Sequence, residues 1–547
     1  MERRTGARTQ DPVKIRLFPS GETLIGRCGE SFLAVLHEHG IPVASECGGA
    51  GTCGKCRIRF RDAAPPVTSI EIRHLSADAV AAGWRLACRQ VVSGAATIEM
   101  GASGAQGDGR PLEYLIGTDA EEASCGEAGD GPHAVAIDLG TTTLSLCLVD
   151  LGSGRSLCTI RARNPQRRFG ADVISRIGHV RQRGQSGLDA LQGAVVDALN
   201  RLLERLCETT SIRTTSIRRA VIAGNPTMLH LLLGVSPVGI DVSPFTPAFL
   251  EDTHCEAETV GLCLGRGARV ETLPAASAYV GADVVAGLLA IDLAGGGERA
   301  LFVDVGTNGE VVLAIDGRLA ACSTAAGPAF EGASIAQGML AAPGAISSVR
   351  IHDGVVVCNV IGGGDARGLC GTGLVAAVAE LRRVGGIDAS GRFHPDRGER
   401  WEGHGKLVRF RLSDGPWPVY LTQQDVREFQ LAKAALRAGV ECLLERAGVP
   451  ARDLDAVRVG GAFSSGLQGA QLVETGLLPG IDRERIRAVG NTALQGATCC
   501  LLDPELALSA RDLANRIGVV ELSGDPRFLE LYVAGMAFPG VEGGATQ

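Results

Sequence analysis

Four cysteines have the spacing of a metal site. Cys47-Gly48-Gly49-Ala50-Gly51-Thr52-Cys53-Gly54-Lys55-Cys56 reads C-x5-C-x2-C, and Cys88 follows after 31 intervening residues. Three thiolates on one glycine-rich loop with a distant fourth suit a [2Fe–2S] cluster, one residue longer than the plant-type C-x4-C-x2-C. Glycine allows such a loop positive φ values and close backbone approach to sulfur. Zinc is the competing metal, but it usually uses two short C-x2–4-C knuckles, and only one is present. The other thirteen cysteines, Cys28, Cys322 and Cys370 among them, read as packing residues.

A second set of residues could hold a polyphosphate. Asp138-Leu139-Gly140-Thr141-Thr142-Thr143 is a tight turn between apolar runs, and Asp304-Val305-Gly306-Thr307-Asn308-Gly309 repeats it. Backbone N–H groups and hydroxyls in such turns form anion nests. Asp138 and Asp304 are placed to hold Mg²⁺ through water. Facing each other, Gly140, Thr141, Thr142 and Thr143 with Gly306, Thr307, Asn308 and Gly309 would clamp the phosphates from both sides. Val457 to Phe463 is an apolar strand running into Gly460-Gly461, a turn open enough for a purine or phosphate. The P-loop pattern G-x-x-x-x-G-K-[ST] is absent.

The elements that must position these residues follow from hydrophobic period. Val13 to Phe18 alternates and pairs with Glu22 to Arg27 as a hairpin. Ser31 caps a helix running to His39. Strands follow at Cys56–Phe60 and 95–100. Residues 99–132 read as a flexible acidic linker, with eight acidic residues against Arg110. A tether of that length spans roughly 30–35 Å. From 133 onward strand-like and helix-like stretches alternate, which is the α/β pattern. They include strands Val135–Asp138 and Ala220–Ala223 and helices Asp172–Gln182 and Gln423–Ala447. The two Asp-x-Gly-Thr units imply two related half-domains.

Composition sets the outer limits. Glycine is 75 of 547 residues, cysteine 17, apolar residues 45% and net charge −8. That balance excludes a mostly disordered chain and gives no basic footprint for nucleic acid. Aromatic residues at 4% do not supply a stacking platform. No secretory leader is visible after Met1, and the best apolar run, Tyr279 to Ala294, contains Asp283 and Asp292. A cytoplasmic chain without membrane contact is expected, its cysteines serving metal or packing rather than disulfides. Residues 1–98 hold 13 Lys and Arg against 9 Asp and Glu, leaving 40 against 52 in the remainder.

The first segment resembles the adrenodoxin-type [2Fe–2S] ferredoxin domain, a β-grasp fold. The resemblance implies Cys47, Cys53, Cys56 and Cys88 as cluster ligands. The larger part resembles the actin, sugar-kinase and heat-shock chaperone ATPases, a two-lobed α/β fold of two ribonuclease-H-like half-domains. There Asp138–Thr143 and Asp304–Gly309 match the phosphate loops and Val457–Phe463 the adenosine motif. Helices near Ser277–Ala290 and Asn491–Leu502 would connect the lobes. The implied division is 12–98, linker 99–132 and ATPase 133–547, with lobes at about 133–300 and 301–490 and a 491–547 tail returning to the first lobe.

The whole chain resembles the reductive activators of corrinoid proteins. This rests on Asn164-Pro165-Gln166 with Phe169 to Arg176, Gly224 to His230, Ala326 to Ala333 and Asp425 to Lys433. The resemblance implies ATP-dependent reduction of Co(II) to Co(I) through the cluster. It also implies a corrinoid protein partner, a low-potential upstream reductant or reductase, and a homodimer. An ATP-driven donor to another low-potential metalloenzyme, a small-molecule kinase with a regulatory cluster, and a non-enzymatic redox sensor stay open. Within these stretches the polar residues also have plainer readings. Asn164 and Asn225, each before proline, start turns. Asp172 and Arg176 form a surface i,i+4 ion pair. Asp425 and Glu428 complement a helix dipole.

Overall fold

The computed structural model describes residues 12–39, 41, 43, 49, 51, 54, 56–100, 115–117, 131–295, 297–332, 334–395, 399–405, 408–415, 418–461 and 464–540. The chain divides into two units, Met1–Glu113 with Arg163–Val195, and Tyr114–Ala162 with Val196–Gln547.

The first unit is built on a five-stranded sheet of order β2-β1-β5-β3-β4. Its strands are β1 (Pro12–Phe18), β2 (Thr23–Arg27), β3 (Arg57–Phe60), β4 (Trp84–Leu86) and β5 (Ala96–Met100). β1 pairs antiparallel with β2 and parallel with β5. Helix α1 (Phe32–Glu38) crosses the sheet, and α2 (Ser69–His74) and α3 (Ala77–Ala81) fill the β3–β4 connection. Period-two alternation in β1 buries Ile15 and Leu17 against Phe32, Val35 and Leu36 of α1. Ser31 caps α1, its Oγ accepting from Ala34 N at 3.1 Å. This is the expected β-grasp arrangement.

Arg163–Val195 groups with the first unit, although the sequence division put it in the ATPase part. It carries α4 (Val173–Arg183) and the start of α5 (Gln185–Thr210). Burial and then the Arg168 guanidinium lower His37 of α1 to about 4, so this segment lies against the β-grasp fold.

The second unit holds two large sheets. The seven-stranded one, of order β11-β12-β10-β7-β8-β9-β6, comprises β6 (Leu115–Gly117), β7 (His133–Leu139), β8 (Thr143–Asp150), β9 (Arg155–Arg163), β10 (Ile217–Gly224), β11 (Thr253–Glu256) and β12 (Arg269–Thr272). In the six-stranded one, of order β23-β22-β13-β14-β15-β24, the first three strands in sequence are β13 (Ala300–Val305), β14 (Gly309–Ile315) and β15 (Arg318–Thr324). Three-stranded additions are β16 (Ala345–His352), β17 (Val355–Val360) and β18 (Gly368–Leu369), then β19 (Trp401–Glu402), β20 (Arg409–Arg411) and β21 (Tyr420–Thr422). β22 (Ala456–Gly460), β23 (Ile486–Gly490) and β24 (Ile517–Val519) complete the six-stranded sheet. The central strands of the two sheets repeat one another. β7 pairs antiparallel with β8 and parallel with β10, and β13 pairs antiparallel with β14 and parallel with β22.

The helices of this unit are α6 (Pro226–Leu232), α7 (Ala257–Val260), α8 (Ala282–Ala290), α9 (Gly371–Arg383), α10 (Gln423–Ala447), α11 (Gly469–Glu474), α12 (Thr492–Leu502), α13 (Pro504–Arg516) and α14 (Pro526–Gly535). α8 and α12 pack on each other at a glycine. A Cβ on Gly496 would lie 1.9 Å from Ala286 O.

Two segments differ from expectation. Within 99–132, read as a free tether, β6 pairs antiparallel with β9, and Glu99 and Met100 belong to β5. The other residues of that stretch up to 130 lie outside the described residues. The 491–547 tail does not all return to the first lobe. α12 packs on α8, β7 and β10, but β24 pairs with β15 and α14 packs on α10. Asp503 ends α12 and caps α13, which still packs on α8 and pairs through Arg511 with Asp252 of the first lobe, so the chain passes into the second lobe only at β24.

Candidate functional site

The cluster loop is tied down from outside. Cys56 precedes β3 and Cys88 follows β4. Ala87 N donates to Cys56 O at 2.7 Å, which holds the two cysteines at neighbouring strand ends. Cys56 is buried and Cys88 half-buried. Cys47 and Cys53 lie outside the described residues. Gly49, Gly51 and Gly54 have φ of 92°, 81° and 65°, values that favour glycine. Each of their carbonyls accepts from a side chain outside the loop. Arg89 Nη2 donates to Gly49 O, His74 Nε2 to Gly51 O at 3.1 Å, and Arg57 Nε to Gly54 O at 3.0 Å. Buried Glu71 anchors the scaffold beneath. It accepts from Leu86 N at 2.8 Å, Thr68 N at 2.8 Å and Gln90 Nε2 at 2.7 Å. Thiol-bearing strand ends, left-handed glycines and carbonyls bonded by side chains from beyond the loop fit a four-cysteine iron–sulfur cluster.

The two Asp-x-Gly-Thr turns meet. Gly140 closes the β7–β8 turn so tightly that a Cβ there would lie 2.4 Å from Thr143 O. Gly306 N donates to Asn308 O at 3.0 Å and closes the β13–β14 turn, which Gly309 completes at the start of β14. Thr142 Oγ1 and Thr307 Oγ1 are 2.7 Å apart. The Gly460-Gly461 turn lies against the second of these. A Cβ on Gly461, whose φ is 110°, would lie 2.3 Å from Val305 O and 3.2 Å from Asp304 Oδ1. The structure thus brings Asp138, Asp304 and the glycines and threonines named from sequence into one cleft. Ala462 and Phe463 lie outside the described residues.

The cleft is lined by more carboxylates than the motifs contain. Burial pushes Asp138 up to about 7, opposed by a hydrogen bond from Asn491 and reinforced by Asp283. Burial and then the charges of Asp283 and Asp138 push Asp304 up to about 8. Glu310 is raised well above its ordinary value by burial, then by Asp283 and Asp304. Glu331 accepts a hydrogen bond from Thr307 Oγ1. A cation bound among these carboxyls would favour their ionised forms. Among the described residues no three His, Cys, Asp or Glu side chains are grouped to ligate a metal directly. The set suits Mg²⁺ that keeps its waters and binds phosphate oxygens.

Sequence reasoning missed five cleft residues. Asn491 Nδ2 donates to Asp138 Oδ2 at 2.7 Å while its Oδ1 caps α12. Asn225 does more than start a turn. It caps α6, and its Nδ2 donates to Thr141 Oγ1 at 2.9 Å. Asp283 was read only as evidence against a membrane span. Glu310 and Glu331 have no signature of their own, although Glu331 falls in the Ala326–Ala333 stretch.

Other readings are corrected. Arg176 is not at the surface. It is fully buried and donates to Gly170 O at 3.0 Å and Gln166 Oε1 at 3.1 Å, while Asp172 caps α4. Asp425 does more than complement a dipole. It is buried in a capping box with Thr422 and accepts from Ala336 N at 2.7 Å. Cys322 and Cys370 are buried as expected, but Cys263 is exposed and Cys28 only half-buried.

Comparison with known proteins joins the two sites. The corrinoid activation enzyme RamQ of Eubacterium limosum is 33% identical over 421 residues, covering 74% of this chain and 70% of that protein. The chain belongs to the RACo-type reductive activators of corrinoid proteins. Three family descriptions match this RACo-type chain. They are the 2Fe-2S iron-sulfur cluster binding domain at 15–93, the RACo middle region at 133–295, and the C-terminal domain of RACo, the ASKHA domain, at 298–545. The [Co(II) methylated amine-specific corrinoid protein] reductase of Methanosarcina barkeri is 26% identical over 425 residues, 70% of this chain and 73% of that protein. A solved reductive activator for corrinoid, iron-sulfur protein superposes with a TM-score of 0.72 at 29% identity, over 96% of this chain and 98% of that one. The RACo-type chain is therefore a ferredoxin domain followed by an actin-like, sugar-kinase-like ATPase. Among its described residues no helix is long and apolar enough to cross a membrane.

Proposed function

We propose that this chain uses ATP to return one electron to an inactive corrinoid protein, reducing Co(II) to Co(I). The observation that carries the reading is the meeting of two phosphate-binding turns over buried Asp138 and Asp304, in a chain that also bears the cluster loop. The [2Fe–2S] cluster, when bound, supplies electrons one at a time. Cys47, Cys53, Cys56 and Cys88 hold it. Thr141, Thr142, Thr143, Thr307 and Asn308, with the backbone at Gly140, Gly306 and Gly309, hold the ATP phosphates. Asp138 and Asp304 hold Mg²⁺ through water and orient the γ-phosphate. Gly460 and Gly461 admit the adenine end.

Reducing Co(II) from a weaker reductant is uphill. A gap of roughly 0.2 V is about 5 kcal/mol for one electron. ATP contributes only through different affinity for two arrangements of the protein. The Thr142–Thr307 contact supplies one arrangement, and Mg-polyphosphate wedged between these turns supplies the other. Asn491 on α12 and Asp283 on α8 carry that change to the crossing helices. The division into 12–98, a 99–132 connection and 133–547 belongs to the same reading. So do a low-potential upstream donor and a homodimer, which rest on the family likeness, and a cytoplasmic location, which rests on the sequence.

The test mixes reduced protein, a Co(II) corrinoid protein and Mg-ATP. Co(I) absorbance appearing only with ATP is expected. Its absence across a range of corrinoid partners overturns the reading. Cys53→Ala is expected to lose the visible cluster spectrum, and Co(I) formation with it, while retaining ATP binding.

A further inference from the structure

The three left-handed glycines of the cluster loop share one feature. Each described glycine has its carbonyl turned to a nitrogen of a different side chain, and each of those side chains comes from a different part of the β-grasp fold. Arg57 lies on β3, His74 ends α2, and Arg89 follows Cys88. The same side chains lie directly on the glycines. A Cβ on Gly51 would meet Arg89 Nε at 2.5 Å, and one on Gly54 would meet the His74 ring at 2.7 Å. Arg57 Nη2 also donates to His74 O at 3.1 Å, which links two members of the set. Arg89 Nε is buried and has no acceptor among the described residues. The loop is therefore fixed from outside at three points, with the negative ends of three peptide dipoles held against donors.

We propose that Arg57, His74 and Arg89 form a positioning collar that sets the potential of the [2Fe–2S] cluster. The proposal rests on the reading of this domain as a cluster carrier and is independent of the corrinoid partner. The electrostatics give its sign. Reduction adds one negative charge to a cluster already surrounded by four thiolates. Carbonyl dipoles engaged by these donors, and two guanidinium charges beside the loop, stabilise the reduced form more than the oxidised one. The collar therefore raises the potential. It makes the cluster easier to load from an upstream donor and leaves more of the uphill step to ATP.

The test measures midpoint potential by spectroelectrochemical titration of the full-length protein, with the visible spectrum as the control for cluster content. Arg89→Gln, Arg57→Gln and His74→Leu are each expected to lower the reduced-to-oxidised ratio at a fixed poise. For a one-electron couple a tenfold fall is 59 mV. Arg89→Lys keeps the charge on one nitrogen in place of the guanidinium fork, so it is expected to move the potential the same way by less. Arg59→Gln is the reference. Arg59 is on the same strand but bonds Ala82 O and pairs with Glu99, away from the loop, so its loss is expected to leave the potential unchanged. If a glutamine variant loses its cluster, Arg89→Lys decides. Unchanged or raised potentials in the collar variants overturn the proposal. So does an Arg59→Gln shift as large as that of Arg57→Gln. Failure of ATP-driven Co(I) formation would leave these potentials as they are, so the two readings fail separately.

Discussion

Asp304 offers a direct test of the cleft's electrostatics through Asp304→Asn. In the folded chain burial, Asp283 and Asp138 hold this carboxyl at about 8 against an ordinary 3.8. The difference is about four pH steps, or about 6 kcal/mol at most at about 1.4 kcal/mol each. The sign follows from proton counts. Between about pH 4 and pH 8 the folded state keeps a proton that the unfolded chain has lost, so stability falls as pH rises through that window. Asparagine removes this contribution. The nucleotide-free variant is expected to match the native protein at about pH 4, to differ by no more than about 1.5 kcal/mol at pH 5, and to exceed it by at least about 2 kcal/mol at pH 8.5, a third of that bound. Urea denaturation at pH 5, 7 and 8.5 reads the effect. A residual slope up to about pH 7 is expected to remain from Asp138. Adding Mg-ATP reverses the order, because the ionised native carboxylate gains a cation and asparagine does not. A nucleotide-free variant that is destabilised equally at pH 5 and pH 8.5 would refute the reasoning, since Asp304 would then be favourably paired in the folded chain.

Two further substitutions probe the scaffold. Gly496→Val places a side chain against the backbone of Ala286, so it should cost about 3 kcal/mol or more in urea denaturation. ATP affinity by calorimetry should fall with it, because Asn491 and Asp283 ride on the two helices; native stability would remove the crossing contact. Glu71→Leu leaves Leu86 N, Thr68 N and Gln90 Nε2 without their acceptor. It should lower stability by about 2–4 kcal/mol, followed by loss of the visible cluster spectrum in denaturant, with Glu71→Gln costing less.

What sequence could reveal was local. The cysteine spacing, the paired Asp-x-Gly-Thr turns and the 25 residues of α10 are signals carried by neighbours in the chain. α10 is legible because Thr422 and Asp425 form a capping box and Gly448, at φ 67°, ends it. The residues that complete the cleft are distant in sequence. Asn491 reaches Asp138 across 353 positions, and no local pattern announces that bond. Arg176 shows the converse failure. An i,i+4 pair suggests a surface salt bridge, but the 3-10 turn at Pro165–Arg168 presents Gln166 instead, and the guanidinium is drawn inside. Burial of this kind depends on tertiary neighbours, which periodicity does not reveal.

The division of the last residues between two lobes bears on whether the ATPase can be taken apart. α12 buries Ala493, Leu494, Ala497, Cys500 and Leu501, and packs on α8, β7 and β10 of the first lobe. α13 stays on α8, and the chain then crosses to close the second sheet with β24. A fragment holding the second lobe alone would present that helix face to water, and one ending before Asn491 would leave α8 uncovered. The two lobes are therefore expected to fold only as a single piece, even though the central strands of their sheets repeat one another.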